Sequence, residues 1–280
     1  MRESGRKGFP PAHEIASISI MIDISASVKY MPLAIARFDF LKENGMTPRA
    51  DFDGFPRDCV KFYEGLKKNN SRVWFDDHRT DYDQFVMAPA RDFVVALGTR
   101  LRKIVPRIHA EPHVNKSIFR INRDVRFSAD KLPYKTHLGL WFWEGDAKRM
   151  ECSGFYFHLD PPRMWLGVGM YMFPPHLLEE YRNSCVHDIY GKELTRIVAK
   201  ASKVPGTSIG RENYKRVPRG FDPDHRNADL LRMNGFHAGI DIRIPKEIFT
   251  PKAVDFCYDK LRPYLPVHKW LVAMTERAAN

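Results

Sequence analysis

The sequence has no uninterrupted apolar run of about 18 or more residues, the length a helix needs to cross a bilayer, so no membrane-spanning helix is expected. It has no C-x-x-C pair. Its four cysteines, Cys59, Cys152, Cys185 and Cys257, are scattered, which excludes zinc-ribbon and thioredoxin-like spacing and reads as reduced thiols in a reducing compartment. It has no G-x-x-x-x-G-K-S/T frame, because Gly167-Val168-Gly169 lacks it, and no G-x-S-x-G elbow. It has no H-E-x-x-H helix either. His109 and His113 have the right separation, but Pro112 between them breaks the helix that would aim both rings at one ion. Neither a metal site nor a cofactor is expected. A continuously apolar secretory segment is also missing: Arg2, Arg6 and Lys7 precede a stretch broken by serines and Asp23. The cytoplasm is the default location.

What the chain does have is apolar material and positive charge. Its 280 residues are 44% hydrophobic and 12% aromatic, enough for a sizeable core in one large domain with an appendage. The formal net charge is +11. A basic surface concentrates anions, so nucleic acid and anionic metabolites are the favoured partners, with plain solubility as the rival explanation.

Periodicity divides the chain into three parts. From Ile18 to Val28 apolar and polar residues alternate, which predicts a strand. Residues 1–50 are expected to form an N-terminal appendage holding that strand, with a linker-like break running from Gly45 to Gly54; residues 51–280 are expected to be one domain. Pro56 can start a helix to about Lys68, with Cys59, Tyr63 and Leu66 on one face. A second helix follows Ser71 and is broken or restarted at Pro89; Phe93, Leu97, Leu101 and Ile104 stripe the next. The middle is strand-like: residues 117–121, 136–143, 154–159 and 164–171, with Asp160-Pro161-Pro162-Arg163 as a hairpin turn. Helices return after Pro175, with a further strand over 236–244. Thr250-Pro251 reads as the N-cap and first residue of a helix, and Val267, Trp270, Leu271 and Met274 stripe the last one. Helices, then strands, then helices predict an α+β fold: a mainly antiparallel sheet with helices from both ends of the chain packed on it.

The run from Arg120 to His137 is the most informative. From Lys116 to Lys135 it sets six cations, Lys116, Arg120, Arg123, Arg126, Lys131 and Lys135, against Asp124 and Asp130. It reads R-D-V-R-F-S-A-D-K-L-P-Y-K from Arg123. With Asn69-Asn70-Ser71-Arg72-Val73-Trp74-Phe75 before it, and Lys215 to Asp222 with Asp224-His225 after it, it resembles the family of domain of unknown function 2461. The resemblance covers roughly residues 52–273. It implies a shared fold and brings no established activity.

Arginine forks suit phosphate and carboxylate, and Ser128, Tyr134 and Thr136 add hydroxyl donors. The candidate ligand-binding residues are therefore Arg123, Arg126, Lys131, Tyr134, Lys135 and, on the hairpin, His158. The same charges could instead pair with Asp124 and Asp130 and latch the loop. Three functions are compatible with these residues. The first is binding, or binding and turnover, of a phosphate-bearing or other anionic ligand, with Asp124 or Asp130 as base in the enzymatic version. The second is nucleic-acid binding, with Trp141, Trp143 and Tyr156 stacking on bases. The third is a non-catalytic structural or interaction role. His137 and His225 are further candidates, each with a structural role as the alternative; Asp222-Pro223 can cap a short helix leading to Leu230-Leu231, with His225 in its first turn.

Overall fold

In the middle of the chain, alternation becomes strand. The computed structural model describes residues 52–279; the strand expected over Ile18–Val28 lies outside them. Five strands form one antiparallel sheet: β1 (Leu138–Glu144), β2 (Ser153–Asp160), β3 (Arg163–Met170), β4 (Thr207–Ile209) and β5 (Phe236–Arg243). Their order across the sheet is β1-β2-β3-β5-β4. β1 to β3 form a meander. β5 then returns beside β3, in register from Arg163↔Arg243 to Met170↔Phe236.

Because side chains alternate across a strand, the register separates two faces. On the first, Leu140 faces Phe157 and Phe142 faces Phe155, and Phe157 in turn faces Leu166, which faces Ile240. Phe142, Phe155 and Phe157 are fully buried. Here the helices pack. Phe157 meets the rings of Phe55 and Phe93 at 5.7 and 4.9 Å, so the N-terminal helices reach the sheet at its middle.

Those helices are α1 (Arg57–Lys68), α2 (Arg72–Asp77) and α3 (Ala88–Leu101). α1 buries Cys59, Phe62, Tyr63 and Leu66, an i, i+3, i+4, i+7 stripe. The Ser71 hydroxyl accepts from the Trp74 N–H at 3.2 Å and caps α2. Pro89 restarts the helix as expected, and does so without a break: a π-helical stretch, Tyr82–Met87, leads into α3, with Pro89 in its first turn where no N–H is needed. α3 ends at Leu101, so Ile104, expected on the same stripe, sits in the turn beyond it.

The C-terminal helices are α4 (Pro175–Val186), α5 (Tyr190–Ala201), the short α6 (Ala228–Leu231), α7 (Ala253–Leu261) and α8 (Leu265–Ala278). α8 lies against β2 and β3, and α7 against α3 and β3. Helices from both chain ends thus share one sheet, as the α+β reading requires. All four cysteines are free and buried.

Three local expectations are corrected. Residues 117–121 make an isolated bridge at Ile118↔Leu140 without forming a strand, because the bridge just beyond them, Asn122↔Tyr134, is in a different register. Thr250 opens a turn ahead of α7, with the Lys252 N–H on its hydroxyl at 3.3 Å, and the helix begins only at Ala253. His225 precedes α6 and does not lie in its first turn: its Nδ1 accepts from the Asn227 N–H at 3.1 Å.

Candidate functional site

The charged signature forms an irregular hairpin arm beside β1. Its two sides are held by backbone bonds: Trp141 N–H to Ser117 O, Phe119 N–H to Gly139 O, Lys135 N–H to Ile121 O and Arg123 N–H to Pro133 O. Near its base Tyr134 is buried and stacked on Phe75, ring centres 4.3 Å apart. The Asn70 side chain clamps the Tyr134 backbone, accepting from its N–H at 3.1 Å and donating to its carbonyl at 2.9 Å.

At the tip the charges are used locally. Arg126 holds Asp124 with two contacts, Nε to Oδ1 at 3.0 Å and Nη2 to Oδ2 at 2.6 Å. This bond set lowers the Asp124 carboxyl to about 2. Arg123 donates to Asp130 at 2.7 Å and to the Leu132 carbonyl at 3.2 Å. Lys131 donates to the Val125 carbonyl at 2.9 Å. Arg126 is exposed, so its pair is screened by water. Arg126→Met is accordingly expected to leave the urea midpoint of the domain unchanged. A fall of the midpoint comparable to that of a core truncation would instead make the pair a structural latch.

The base of the arm leads to the second face of the sheet. On that face the register aligns Gly139, His158, Trp165 and Asp241 in one row, and Trp141, Tyr156, Gly167 and Gly239 in the next. His158 Nδ1 and the Tyr156 hydroxyl are hydrogen-bonded at 3.0 Å. The imidazole of His137 lies 4.2 Å from that of His158, centre to centre. Lys67, from the end of α1, pairs with Asp160 at 2.5 Å at the rim, and Lys135 lies 5.5 Å from the Phe119 ring centre. Both histidines are half-buried.

Desolvation sets the state of this group. Burial holds His158 at about 4, offset in part by Asp160 and Asp241 and reinforced by Lys67 and Lys135. Burial, His158 and the same lysines push His137 well below the usual histidine range. Both imidazoles are therefore neutral at neutral pH, beside two ammonium groups. Neutral imidazole offers one N–H donor and one acceptor, and the lysines at the rim add positive charge to its surroundings.

Of the sequence-based candidates, the structure brings Lys135 and His158 together with His137. Arg123, Arg126 and Lys131 lie out along the arm, and Tyr134 is packed inside its base. Sequence reasoning missed Lys67, whose place at the site depends on the end of α1 reaching the β2–β3 turn. It also missed Trp165, whose neighbourhood depends on pairing β3 with β5.

A second polar chain lies on the helix side of the sheet. His268 of α8 accepts from or donates to Ser153 Oγ through Nδ1 at 3.0 Å, and its Nε2 meets Glu144 Oε2 at 2.9 Å. The order serine–histidine–carboxylate suggests a nucleophile, but Ser153 and His268 are both completely buried. No substrate carbonyl can reach that hydroxyl while α8 stays docked, so the chain acts as a tie between the β1–β2 hairpin and α8.

Among the described residues no group of three or more His, Cys, Asp or Glu side chains could hold a metal ion, and no helix is long and apolar enough to cross a membrane. No curated protein and no solved structure matches the chain. The profile of the conserved hypothetical protein family DUF2461 matches residues 58–270, well over half of the chain, and spans α1 to α8 with the arm and the whole sheet between them. The chain belongs to the DUF2461 family.

Proposed function

We propose that this protein binds an anionic, phosphate-bearing small ligand at the base of the arm, where Lys135 and His158 meet His137 and Lys67. The observation that carries the reading is the neutral His137–His158 pair, desolvated and 4.2 Å apart beside two lysines. Two uncharged imidazoles beside lysines offer N–H donors without adding cations that repel them. An anion placed there offsets the lysine charge and can take imidazole N–H bonds. Arg123, Arg126, Lys131 and Tyr134 serve this reading by holding the arm's shape and by adding to the field that draws anions in.

The test is calorimetric titration with inorganic phosphate at low ionic strength. Lys135→Met is expected to weaken binding by about 1.5–3 kcal/mol, the worth of one charge-assisted hydrogen bond, with an unchanged melting temperature. Saturable binding that Lys135→Met leaves intact would remove Lys135 from the site.

A nucleic-acid reading keeps one supporting observation: Phe127 is 86% exposed at the arm's tip between Arg126 and Lys131. Trp141 and Trp143 are buried and so are not available to stack on bases. Oligonucleotide affinity that falls steeply with salt and is lost in Phe127→Ala would favour this second reading.

A further inference from the structure

We infer that the tip of the arm docks on an anionic phospholipid surface, with Phe127 and Leu132 entering the headgroup region of the bilayer and the arm's cations meeting lipid phosphates. The inference is independent of the anion site at the arm's base.

The starting observation is an apolar tip. Among the described residues Phe127 is the most exposed large apolar side chain, and Leu132, on the returning side of the arm, is exposed as well. Ala129, between them in the chain, is exposed, and Val125 is half-buried. Single exposed apolar residues are ordinary on a protein surface. Here four of them fall within residues 125–132, the segment that turns the arm. Solvated turns favour glycine, asparagine and serine, so the turn itself has no need of a phenylalanine.

The second observation is that local bonds hold these side chains out. The Ser128 N–H donates to the Val125 carbonyl at 3.4 Å, which closes a turn with Arg126 and Phe127 at its two central positions. The Lys131 ammonium reaches across to the same carbonyl at 2.9 Å. The Asp124 carboxylate accepts the Arg126 N–H at 3.2 Å, and the Asp130 carboxylate accepts the Leu132 N–H at 2.9 Å. Phe127 and Leu132 are thus presented on an ordered turn, which lowers the entropy cost of docking.

Charge selects the surface. The Arg126 guanidinium lies 5.8 Å from the Phe127 ring centre, and Lys131 immediately precedes Leu132. Of the six cations from Lys116 to Lys135, Asp124 and Asp130 match two, which leaves a positive excess at and behind the apolar tip. That combination fits a bilayer with anionic headgroups: the ring and the aliphatic side chain enter the acyl boundary, while the long basic side chains keep their heads at the level of the phosphates. Asp124 and Asp130, held by Arg126 and Arg123, keep the docking shallow, since burying those pairs in the acyl region is costly. A nucleic acid fits this tip less well. Stacking on bases needs aromatic faces; Leu132 has none, and Trp141 and Trp143 are buried.

The experiment sediments the full chain with vesicles of phosphatidylcholine alone and of phosphatidylcholine mixed with phosphatidylserine. The protein is expected to bind the mixed vesicles, to leave them as salt rises, and not to bind the neutral ones. Phe127→Ser should weaken binding about tenfold or more, the worth of one ring taken out of water, and Lys131→Gln about fivefold. Neither should change the melting temperature, because both side chains are exposed. Phe127→Trp should keep the binding and add an emission component, absent from the wild type, that moves to shorter wavelength on the mixed vesicles and is quenched by lipids brominated in the acyl chains. Binding of inorganic phosphate should be the same in Phe127→Ser and the wild type, so the anion site and the docking tip fail or stand separately. Equal binding to the two kinds of vesicle, no binding to either, or binding that Phe127→Ser leaves intact overturns the inference. So does a tip that holds single-stranded oligonucleotide more tightly than the mixed vesicles and loses it in Phe127→Ser, an outcome that assigns the tip to nucleic acid.

Discussion

Acidification from neutral pH to about pH 4 is expected to destabilise this protein strongly before most carboxylates titrate. Three histidines on the second face of the sheet are responsible. Burial lowers His158 and His237 from 6.5 to about 4 and holds His137 well below its ordinary range. In the unfolded chain each takes up a proton near 6.5, and in the folded chain it does not. The unfolded state therefore binds more protons as the pH falls, and folding loses stability over that window. The contribution is complete above pH 6.5 and drains away down to about pH 4. His158 and His237 each account for about 2–3 kcal/mol after discounting for partial exposure. Two such losses are a large share of a typical domain stability of about 5–15 kcal/mol. The groups facing His158 act in both directions: Asp160 and Asp241 favour its charged form, while Lys67 and Lys135 oppose it. For His237 the Met170 backbone favours the charged form and Arg211 opposes it. Urea denaturation at half-unit steps of pH should show stability falling between pH 6.5 and 4.5, and His158→Asn combined with His237→Asn should flatten the fall. A flat profile in the wild type over that range would contradict the burial of these imidazoles.

The tie between α8 and the β1–β2 hairpin carries the second large effect. Glu144 and Ser153 are directly opposed across β1 and β2, and His268 from α8 inserts between them. The His268 bond holds the Glu144 carboxyl below its ordinary range. Removing the carboxylate leaves a completely buried imidazole nitrogen without its partner, the costly case for a buried polar group. Glu144→Ala is expected to lose about 2–4 kcal/mol, Ser153→Ala about 1 kcal/mol, and Glu144→Gln less than Glu144→Ala because it keeps an acceptor. Chemical denaturation of the three variants checks the order. A loss below about 0.5 kcal/mol for Glu144→Ala, the ordinary range for surface changes, would mean that apolar packing holds α8 without the tie.

These two effects differ in how far the sequence discloses them. The alternation Phe155, Phe157, Leu159 against Tyr156 and His158 is visible in one hairpin, and so were β1, β2, β3, β5 and the α+β class, whereas the three-residue β4 left no mark. The helix stripes at Cys59, Tyr63, Leu66 and at Val267, Trp270, Leu271, Met274 were visible because helical period leaves its mark within a few turns. The rest depends on contacts between distant segments. His268 falls within the last of those stripes, and nothing local indicates that its partners lie at Ser153 and Glu144, the latter 124 residues away. The glycines at 167 and 239 have meaning only once β5 is known to pair with β3. The charge of the arm is plain in the composition, which does not reveal that Arg126 turns onto Asp124 while Lys135, at the base, lies over the Phe119 ring.

The most direct measurement of the anion-site reading is an NMR titration of the histidine side-chain signals with inorganic phosphate at pH 6. A bound anion favours the charged imidazole, so the His137 and His158 resonances should shift saturably and their titration should move to higher pH. Lys135→Met should weaken both responses and leave His225, outside the site, unaffected. If neither His137 nor His158 responds to phosphate in the folded wild-type chain, the anion site at the base of the arm does not exist.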